Sequence, residues 1–165
     1  MLAEGDPAPD FTLPDQEGNP LTLSQLRGTT VVLYFYPRAD TPGCTTQACG
    51  VRDHAADYEG IDARVIGVSP DPVAAVRKFD DKFGLGFTLL ADEDHAVADA
   101  FGTWVEKRMY GKTYSGAQRS TFIIDPEGRI AKVFPKVSPA THDEVVLEAL
   151  DELGRVPSAS QDTAT

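Results

Sequence analysis

Two thiols, Cys44 and Cys49, are the residues of this sequence with the clearest capacity for chemistry. The residues before Cys44 predict that it lies in the first turn of a helix, where free backbone N–H groups and the helix dipole favour an anion. A thiolate is the reactive form of cysteine, so this position favours a nucleophile. The alternative is that Cys44 is a small buried hydrophobic residue, as free cysteines often are.

The elements that position Cys44 are a strand, a short polar loop and a helix. The apolar run Val31–Tyr36 predicts a buried strand, and Pro37 ends it because proline donates no ladder hydrogen bond. Asp40 or Thr41 can cap the following helix, with Pro42 in its first position. The cysteine is therefore expected close behind the edge of a sheet.

The spacing of the two cysteines constrains how they can react with each other. In an intact helix, Cα atoms five residues apart are separated by roughly 8–9 Å, and their side chains point about 140° apart. A disulfide needs Cα atoms closer than about 7 Å with converging Cβ vectors. If Cys44 and Cys49 pair, the first turns of the helix must therefore unwind.

Two longer motifs carry a resemblance to a known family. The pattern P-x-x-x-T-x-x-C, formed by Pro37, Thr41 and Cys44, resembles the active-site loop of the peroxiredoxins. The fuller string T-P-G-C-T-x-Q-A-C is similar to that of the bacterioferritin comigratory protein, or peroxiredoxin Q, branch. The string G-K-T-Y-x-G-x-x-R-S-T-F at Gly111–Phe122 belongs to the same resemblance, which covers about Gly5–Leu153.

The resemblance implies a thiol peroxidase that reduces hydrogen peroxide and organic hydroperoxides. Cys44 would be the peroxidatic nucleophile, which peroxide oxidises to a sulfenic acid. Cys49, the only other thiol in the chain, would resolve it as a Cys44–Cys49 disulfide within one subunit. An external dithiol donor, which the family implies is thioredoxin, would then reduce the disulfide.

Four further residues acquire catalytic roles from the resemblance. Thr41 is expected to cap the helix and to hydrogen-bond the thiolate or the peroxide, and Pro37 to shield the pocket from water. Gly43 is expected to allow close approach of the peroxide to backbone N–H donors. Arg119, which by itself would be read as a solvated surface charge, becomes the cation of the site. Gln47 stands where other peroxiredoxin branches often carry Glu.

Composition narrows the class of protein. With 15 basic and 26 acidic side chains the net charge is −11, which disfavours nucleic acid and anionic membranes as partners. Two cysteines are too few for a disulfide scaffold, and neither a signal peptide nor a run of ~20 apolar residues is visible. We expect a cytoplasmic protein and a monomer, with a dimer left open.

The order of the elements predicts an α/β protein with a thioredoxin-like fold, in which helices flank a mixed central sheet and an N-terminal β-hairpin precedes it. Residues 1–154 are expected to form one domain and residues 155–165 a disordered polar tail. The predicted strands are a hairpin of Phe11–Leu13 and Leu21–Leu23, followed by Val31–Tyr36, Ala63–Ser69, Phe87–Ala91, Gln118–Ile124 and Arg129–Phe134. The predicted helices run from Pro42 to about Tyr58, from Pro72 to Lys82 or Phe83, from Asp92–Asp94 to Phe101 and from Thr141 or His142. Thr103–Ala117 is expected to be a glycine-containing excursion.

Other chemistries are less well supported. A thioredoxin-like disulfide reductase normally uses C-x-x-C, whereas four residues separate these cysteines. A metal-binding or redox-responsive chaperone would need more ligands, and His54, His95 and His142 have no metal-ligand spacing with the cysteines. That spacing predicts no metal site. No phosphate-binding glycine loop precedes a helix, so no nucleotide cofactor is expected either.

Overall fold

A computed structural model describes the backbone of residues 1–162 and the side chains of residues 1–153 other than Met109. Its strands are β1 (Thr12–Pro14), β2 (Pro20–Thr22), β3 (Thr30–Phe35), β4 (Ala63–Ser69), β5 (Thr88–Ala91), β6 (Trp104–Met109), β7 (Lys112–Ala117), β8 (Thr121–Ile124) and β9 (Ile130–Phe134). Its α-helices are α1 (Pro42–Asp53), α2 (Ala55–Gly60), α3 (Val73–Phe83), α4 (Ala96–Phe101) and α5 (His142–Asp162), and a 3₁₀ turn occupies Leu23–Leu26.

The central sheet has the strand order β5-β4-β3-β8-β9. Strands β3, β4 and β5 run parallel, while β8 is antiparallel to both β3 and β9. This confirms the predicted mixed sheet. The predicted N-terminal hairpin is present as β1 and β2, which pair from Thr12 with Thr22 to Pro14 with Pro20.

Strand β3 is buried on both faces of the sheet, as its continuous apolar sequence predicts. Alternate side chains belong to two separate cores. Val32 and Tyr34 pack in the core that also holds Cys44, whereas Leu33 and Phe35 pack in the core with Phe101 and Phe122. The cysteine thus sits against one face of the central strand.

The helix that begins at Pro42 is shorter than predicted. Residue His54 interrupts it, so α1 ends at Asp53 and α2 follows as a separate short helix. The His54 ring Nδ1 lies 2.9 Å from the carbonyl oxygen of Gly50, a local hydrogen bond that competes with regular helical pairing. Tyr58 of α2 is buried in the core that also holds Cys44.

The segment Thr103–Ala117, predicted as a glycine-containing excursion without strands, is mostly an antiparallel hairpin. Strands β6 and β7 pair over their whole length, from Trp104 with Ala117 to Met109 with Lys112. The prediction was wrong because both faces of this hairpin are largely polar, so no alternation of apolar residues marked the strands. Tyr110 and Gly111 form its turn with φ angles of 52° and 77°.

Helix α5 continues to Asp162, so it extends into the segment predicted as a tail from residue 155. The side chains of residues 154–165 and the whole of residues 163–165 lie outside what the structure describes, and the domain boundary at residue 154 stays a prediction. Among the helices described, none combines the length and the apolar character that crossing a bilayer requires.

Candidate active site

Cys44 lies in the first turn of α1, as predicted, and only 1% of its surface is exposed. Its Sγ is 3.4 Å from Nη2 of Arg119, which donates a hydrogen bond to it. Hydrogen bonds in which a partner is ionised are about twice as strong as neutral ones. A buried thiolate at this position therefore has a fixed cation beside it.

The guanidinium of Arg119 is held from a second side by Gln47. Nη1 of Arg119 donates to Oε1 of Gln47 at 2.6 Å, and the Gln47 side chain is fully buried. Gln47 follows Cys44 by three positions, so both face the same side of α1. No role was predicted for Gln47 from the sequence. Its spacing of three residues from Cys44 was the signal that could have placed it in the site.

Arg119 itself lies just before β8, because that strand begins at Thr121 rather than at the predicted Gln118. Its backbone carbonyl accepts a hydrogen bond from the N–H of Val137. The arginine is thus anchored through its backbone to the segment after β9 and through its side chain to α1.

Gly43 lies directly against the guanidinium. A Cβ atom at this position would stand 3.1 Å from Nη2 of Arg119 and 3.4 Å from Cγ of Pro139. Glycine therefore leaves room for Arg119 to reach the cysteine. The same residue belongs to the first turn of α1, whose N–H groups have no partner within the helix.

Thr41 occupies the residue before α1 but does not cap the helix with its side chain. Its hydroxyl donates instead to the carbonyl of Arg38 at 2.9 Å, while its own carbonyl accepts from Thr45 N–H at 2.8 Å. The predicted side-chain cap was wrong, because the loop turns back on itself and offers the hydroxyl a nearer acceptor. Pro37 is half-buried at the start of this loop.

Two side chains from other elements hold the active-site loop in place. The N–H of Ala39 donates to the carboxylate of Asp71 at 2.7 Å. Asp40, which has a φ angle of 59°, forms an ion pair with Lys82 of α3 at 3.0 Å. The loop between β3 and α1 is therefore tied to the segment that follows β4 and to α3.

Cys49 is half-buried and lies within the same helix as Cys44, and both thiols are free. Because α1 is continuous from Pro42 to Asp53, helical geometry separates the two Cα atoms by roughly 8–9 Å. The folded structure thus holds the two cysteines too far apart for a disulfide.

Lys107 of β6 is a second cation near the site that sequence reasoning missed. Its Nζ donates to the carbonyl of Ala117 at 2.6 Å, two residues before Arg119. Burial and the positive charge of Arg119 lower the pKa of Lys107, and the negative charge of a Cys44 thiolate acts in the opposite direction. The strand pairing that brings Lys107 here was not predicted.

Behind α1 lies a buried polar cluster formed by Tyr58, His142 and Asp143. The Tyr58 hydroxyl donates to Asp143, and Nε2 of His142 lies 3.0 Å from Oγ1 of Thr121. Burial raises the pKa of both Tyr58 and Asp143. Burial, assisted by the positive charge of Arg119, lowers the pKa of His142 to about 4.

Of the predicted site residues, the structure brings Cys44, Arg119 and Gly43 into direct contact. Cys49 lies one and a half turns further along α1, and Thr41 and Pro37 belong to the adjoining loop. Within the described part of the chain, no group of three or more His, Cys, Asp or Glu residues could hold a metal ion. A buried thiol, a fixed guanidinium and a helix N-terminus together suit nucleophilic attack on an electrophilic oxygen.

The chain is similar to known proteins over most of its length. The model of the AhpC/TSA family matches residues 4–133. Peroxiredoxin Bcp of Escherichia coli is 46% identical over 151 residues, which are 92% of this chain and 97% of that protein.

Solved structures agree with the sequence comparison. The crystal structure of peroxidoxin BcpB from Mycobacterium tuberculosis superposes with a TM-score of 0.82 at 38% identity, covering 92% of this chain and 98% of that one. A bacterioferritin comigratory protein of Xanthomonas campestris, described for its alkyl peroxide reduction activity from a trapped intermediate and ligand complexes, gives a TM-score of 0.82 at 37% identity. That comparison covers 86% of this chain and 90% of that chain.

Proposed function

This chain belongs to the AhpC/TSA family and, within it, to the Bcp or peroxiredoxin Q type of peroxiredoxin, a family of thiol peroxidases with a thioredoxin-like fold, and from that premise we propose how its own residues perform the reaction. The substrates are hydrogen peroxide and alkyl hydroperoxides. Cys44 is the peroxidatic cysteine and Cys49 the resolving cysteine.

In the first step the Cys44 thiolate attacks one oxygen of the peroxide. The O–O bond breaks, the second oxygen leaves as hydroxide or alkoxide and takes up a proton, and the sulfur becomes a sulfenic acid. Negative charge moves from sulfur toward the leaving oxygen during this step. The Arg119 guanidinium, 3.4 Å from Sγ, can stabilise that charge along its whole path, and the first N–H groups of α1 add further donors.

The residues around Cys44 hold the peroxide in line and keep water out. Gly43 allows a substrate oxygen to approach the backbone, while Pro37 forms part of the pocket wall. Thr41 lies in the adjoining loop, and its hydroxyl donates a hydrogen bond to the carbonyl of Arg38. We assign Thr41 the role of an acceptor or loop-shaping residue, since its donor hydrogen is already used.

In the second step the thiolate of Cys49 attacks the sulfenic sulfur of Cys44. A disulfide forms, and the sulfenic oxygen leaves as water after protonation. The helical separation of the two thiols requires that the first turns of α1 unwind before this step. An external dithiol then reduces the disulfide by two electrons. We assign the role of this reductant to thioredoxin or a similar dithiol protein. We also propose that the enzyme acts in the cytoplasm and as a monomer.

The observation that carries this proposal is the contact of Arg119 with both Cys44 and Gln47 at the start of α1. The proposal predicts different behaviour of two serine variants. Cys44→Ser should consume no peroxide because the nucleophile is gone. Cys49→Ser should consume one equivalent and then stop at the sulfenic acid, since no resolving thiol remains.

Peroxide consumption by the reduced proteins in single turnover, without added thiol, checks both variants against the wild type. A dithiol-regenerating system then measures the turnover of the wild type and of Cys44→Ser. Both variants should fold like the wild type, because serine is nearly isosteric with cysteine. A far-UV circular dichroism spectrum of each variant checks this. Full turnover by Cys44→Ser would contradict the assignment of the nucleophile.

A further inference from the structure

The β6–β7 hairpin begins beside the active site and ends in an exposed turn at Tyr110. Its base is fixed by Trp104, whose ring stacks on His95 at 3.9 Å. Its base lies beside the site, because β7 ends at Ala117, two residues before Arg119. Lys107 bonds the Ala117 carbonyl within the hairpin and is close enough to Arg119 and Cys44 for their charges to act on its pKa. Beyond these contacts the strands extend to a turn at Tyr110 and Gly111.

Tyr110 is an unexpected residue for this turn. Both turn residues have positive φ angles, a conformation that favours Asn or Gly and that strains a bulky side chain. The Tyr110 side chain is 96% exposed, so it contributes no packing that would offset the strain. A strained residue that the fold itself does not use points to a use outside the fold.

The register places Tyr110 beside a basic and aromatic surface. Lys107 pairs with Tyr114, and Lys112 stands two residues from Tyr114, so these side chains share one face of the hairpin. No acidic residue lies on this face, although the chain as a whole carries a net charge of −11. Lys112 forms no ion pair with any described side chain, and Tyr114 is 43% exposed. We call Tyr110, Lys112 and Tyr114 the hairpin patch.

We propose that the hairpin patch docks the protein that reduces the Cys44–Cys49 disulfide, a dithiol protein with an acidic and partly apolar surface beside its reactive cysteine. This inference rests on the proposed function. A macromolecular reductant must bring its thiolate to the start of α1. The patch is a basic, aromatic surface on the hairpin face that carries Lys107, and the base of this hairpin runs into Arg119 of the site. Tyrosine is enriched among the residues that carry binding energy at interfaces.

The docked step is a thiol–disulfide exchange. The reductant's thiolate attacks one sulfur of the disulfide and releases the other as a thiolate of this chain. The second thiol of the reductant then attacks the mixed disulfide, which returns the second cysteine as a thiol. Two electrons pass to this chain, and the reductant leaves with its own cysteines as a disulfide. The patch takes no part in bond making and acts only on how the partner binds.

The test uses Tyr110→Asn and Lys112→Glu, singly and together, with a thioredoxin of net negative charge, its reductase and NADPH. We expect the double variant to raise the KM for thioredoxin about tenfold. Turnover driven by dithiothreitol and the single-turnover rate with peroxide should stay as in the wild type. Tyr110→Asn should melt at the same temperature as the wild type or higher, because Asn-Gly is the favoured sequence for this turn.

Matched changes elsewhere control for surface chemistry. Ile61→Asn removes another exposed apolar side chain, at the opposite end of β4 from the site, and Lys78→Glu reverses a charge on the exposed face of α3. Both should leave the KM for thioredoxin unchanged. Raising the salt concentration should increase the wild-type KM more than that of Lys112→Glu, since screening weakens only a charge contact.

Two results for the KM for thioredoxin would overturn the inference. The first is an unchanged KM in the double variant, and if that variant also loses binding to phosphatidylserine vesicles, the patch is assigned to a lipid surface instead. The second is an equal rise of the KM in the control variants. If dithiothreitol supports no turnover of the wild type, the proposed function fails, and the inference fails with it.

Discussion

At the scale of single residues, we propose that the reactivity of Cys44 depends on the position of the Arg119 guanidinium, which lies 3.4 Å from its sulfur. Gln47 holds one nitrogen of the guanidinium, and the bare Cα of Gly43 leaves space for the other beside the cysteine sulfur. The charge of the arginine is therefore positioned by a hydrogen bond on one side and by the absence of a side chain on the other. Small displacements here change the geometry of attack.

Gly43→Ala should therefore lower the second-order rate of peroxide oxidation about tenfold, because a methyl group at 3.1 Å displaces Nη2 of Arg119. Stopped-flow tryptophan fluorescence or competition for peroxide measures this rate. Gly60→Ala is the matched control, since a Cβ there meets nothing within 4 Å. Equal rates in Gly43→Ala and the wild type would contradict the positioning of Arg119 by close contact.

Replacing Arg119 tests the cation itself. Arg119→Met should slow oxidation of Cys44 by about 10²–10³, the usual cost of removing a donor from developing negative charge. Arg119→Lys should recover only part of the rate, because an ammonium lacks the planar fork that reaches both Gln47 and the sulfur. Arg77→Met, on the exposed face of α3, is the control. A rate loss below threefold in Arg119→Met would contradict the role of the cation.

The place of some of these residues in the site could be predicted from the sequence, and that of others could not. Cys44 and Arg119 could be predicted because motifs mark them, and the structure brings them together. Lys107 could not, because its position depends on a hairpin with no apolar alternation. The direction of the Thr41 hydroxyl also depends on how the loop turns, which its residue types leave open.

At the scale of elements, the proposed cycle requires that α1 is formed for peroxide reduction and partly unwound for disulfide formation. Its sequence gives a weak helix, with two glycines and two adjacent threonines in its twelve residues. Thr46 bonds its hydroxyl back to the carbonyl of Pro42 at 3.0 Å, which competes with regular helical hydrogen bonds. The low intrinsic stability of α1 would favour the proposed unwinding of its first turns.

Thr46→Ala should stabilise the first turns of α1 by about 0.5 kcal/mol. Disulfide formation should then slow about twofold, and more of Cys44 should become sulfinic acid at high peroxide concentration. Rapid-quench mass spectrometry measures both, and the rate of the first oxidation should not change. Thr113→Ala, on the exposed face of the hairpin, is the control. Faster disulfide formation in Thr46→Ala would contradict the unwinding step.

Predictions of elements succeeded where local signals are strong. Strand β4 was predicted with its observed ends, and α3 ends at Phe83 before the left-handed Gly84. The single helix through Tyr58 was wrong because the chain turns at His54, whose ring lies 2.9 Å from the Gly50 carbonyl oxygen. The interruption at His54 has no signature in residue types alone.

At the scale of the whole molecule, α5 joins α1 and α2 to the sheet through buried polar groups. Gly50 of α1 faces Asp143 so closely that a Cβ would touch its carboxylate. Asp143 in turn accepts the Tyr58 hydroxyl, and the neighbouring His142 reaches Thr121 of β8. Such a cluster makes the packing of α5 sensitive to the protonation of its members.

Because of His142, we expect the free energy of unfolding to decrease as the pH falls below 6.5. The pKa of His142 is about 4 in the folded chain and 6.5 in its ordinary state, so below pH 6.5 the unfolded chain binds a proton that the folded chain does not. Stability is lost as the pH falls from 6.5 to 4, by about 3 kcal/mol in all. Urea unfolding of the wild type and of His142→Gln across this range measures the difference. Parallel curves for the two proteins would contradict it.

The central claim is that Cys44 reacts with peroxide and that Cys49 then closes a disulfide by unwinding α1. The most direct test treats the reduced protein with one equivalent of hydrogen peroxide and measures the intact mass and the peptide masses. The account predicts a loss of two hydrogens, mapped to a Cys44–Cys49 bridge and reversed by thioredoxin. A gain of oxygen without a bridge, or no rapid change at either thiol, would contradict it.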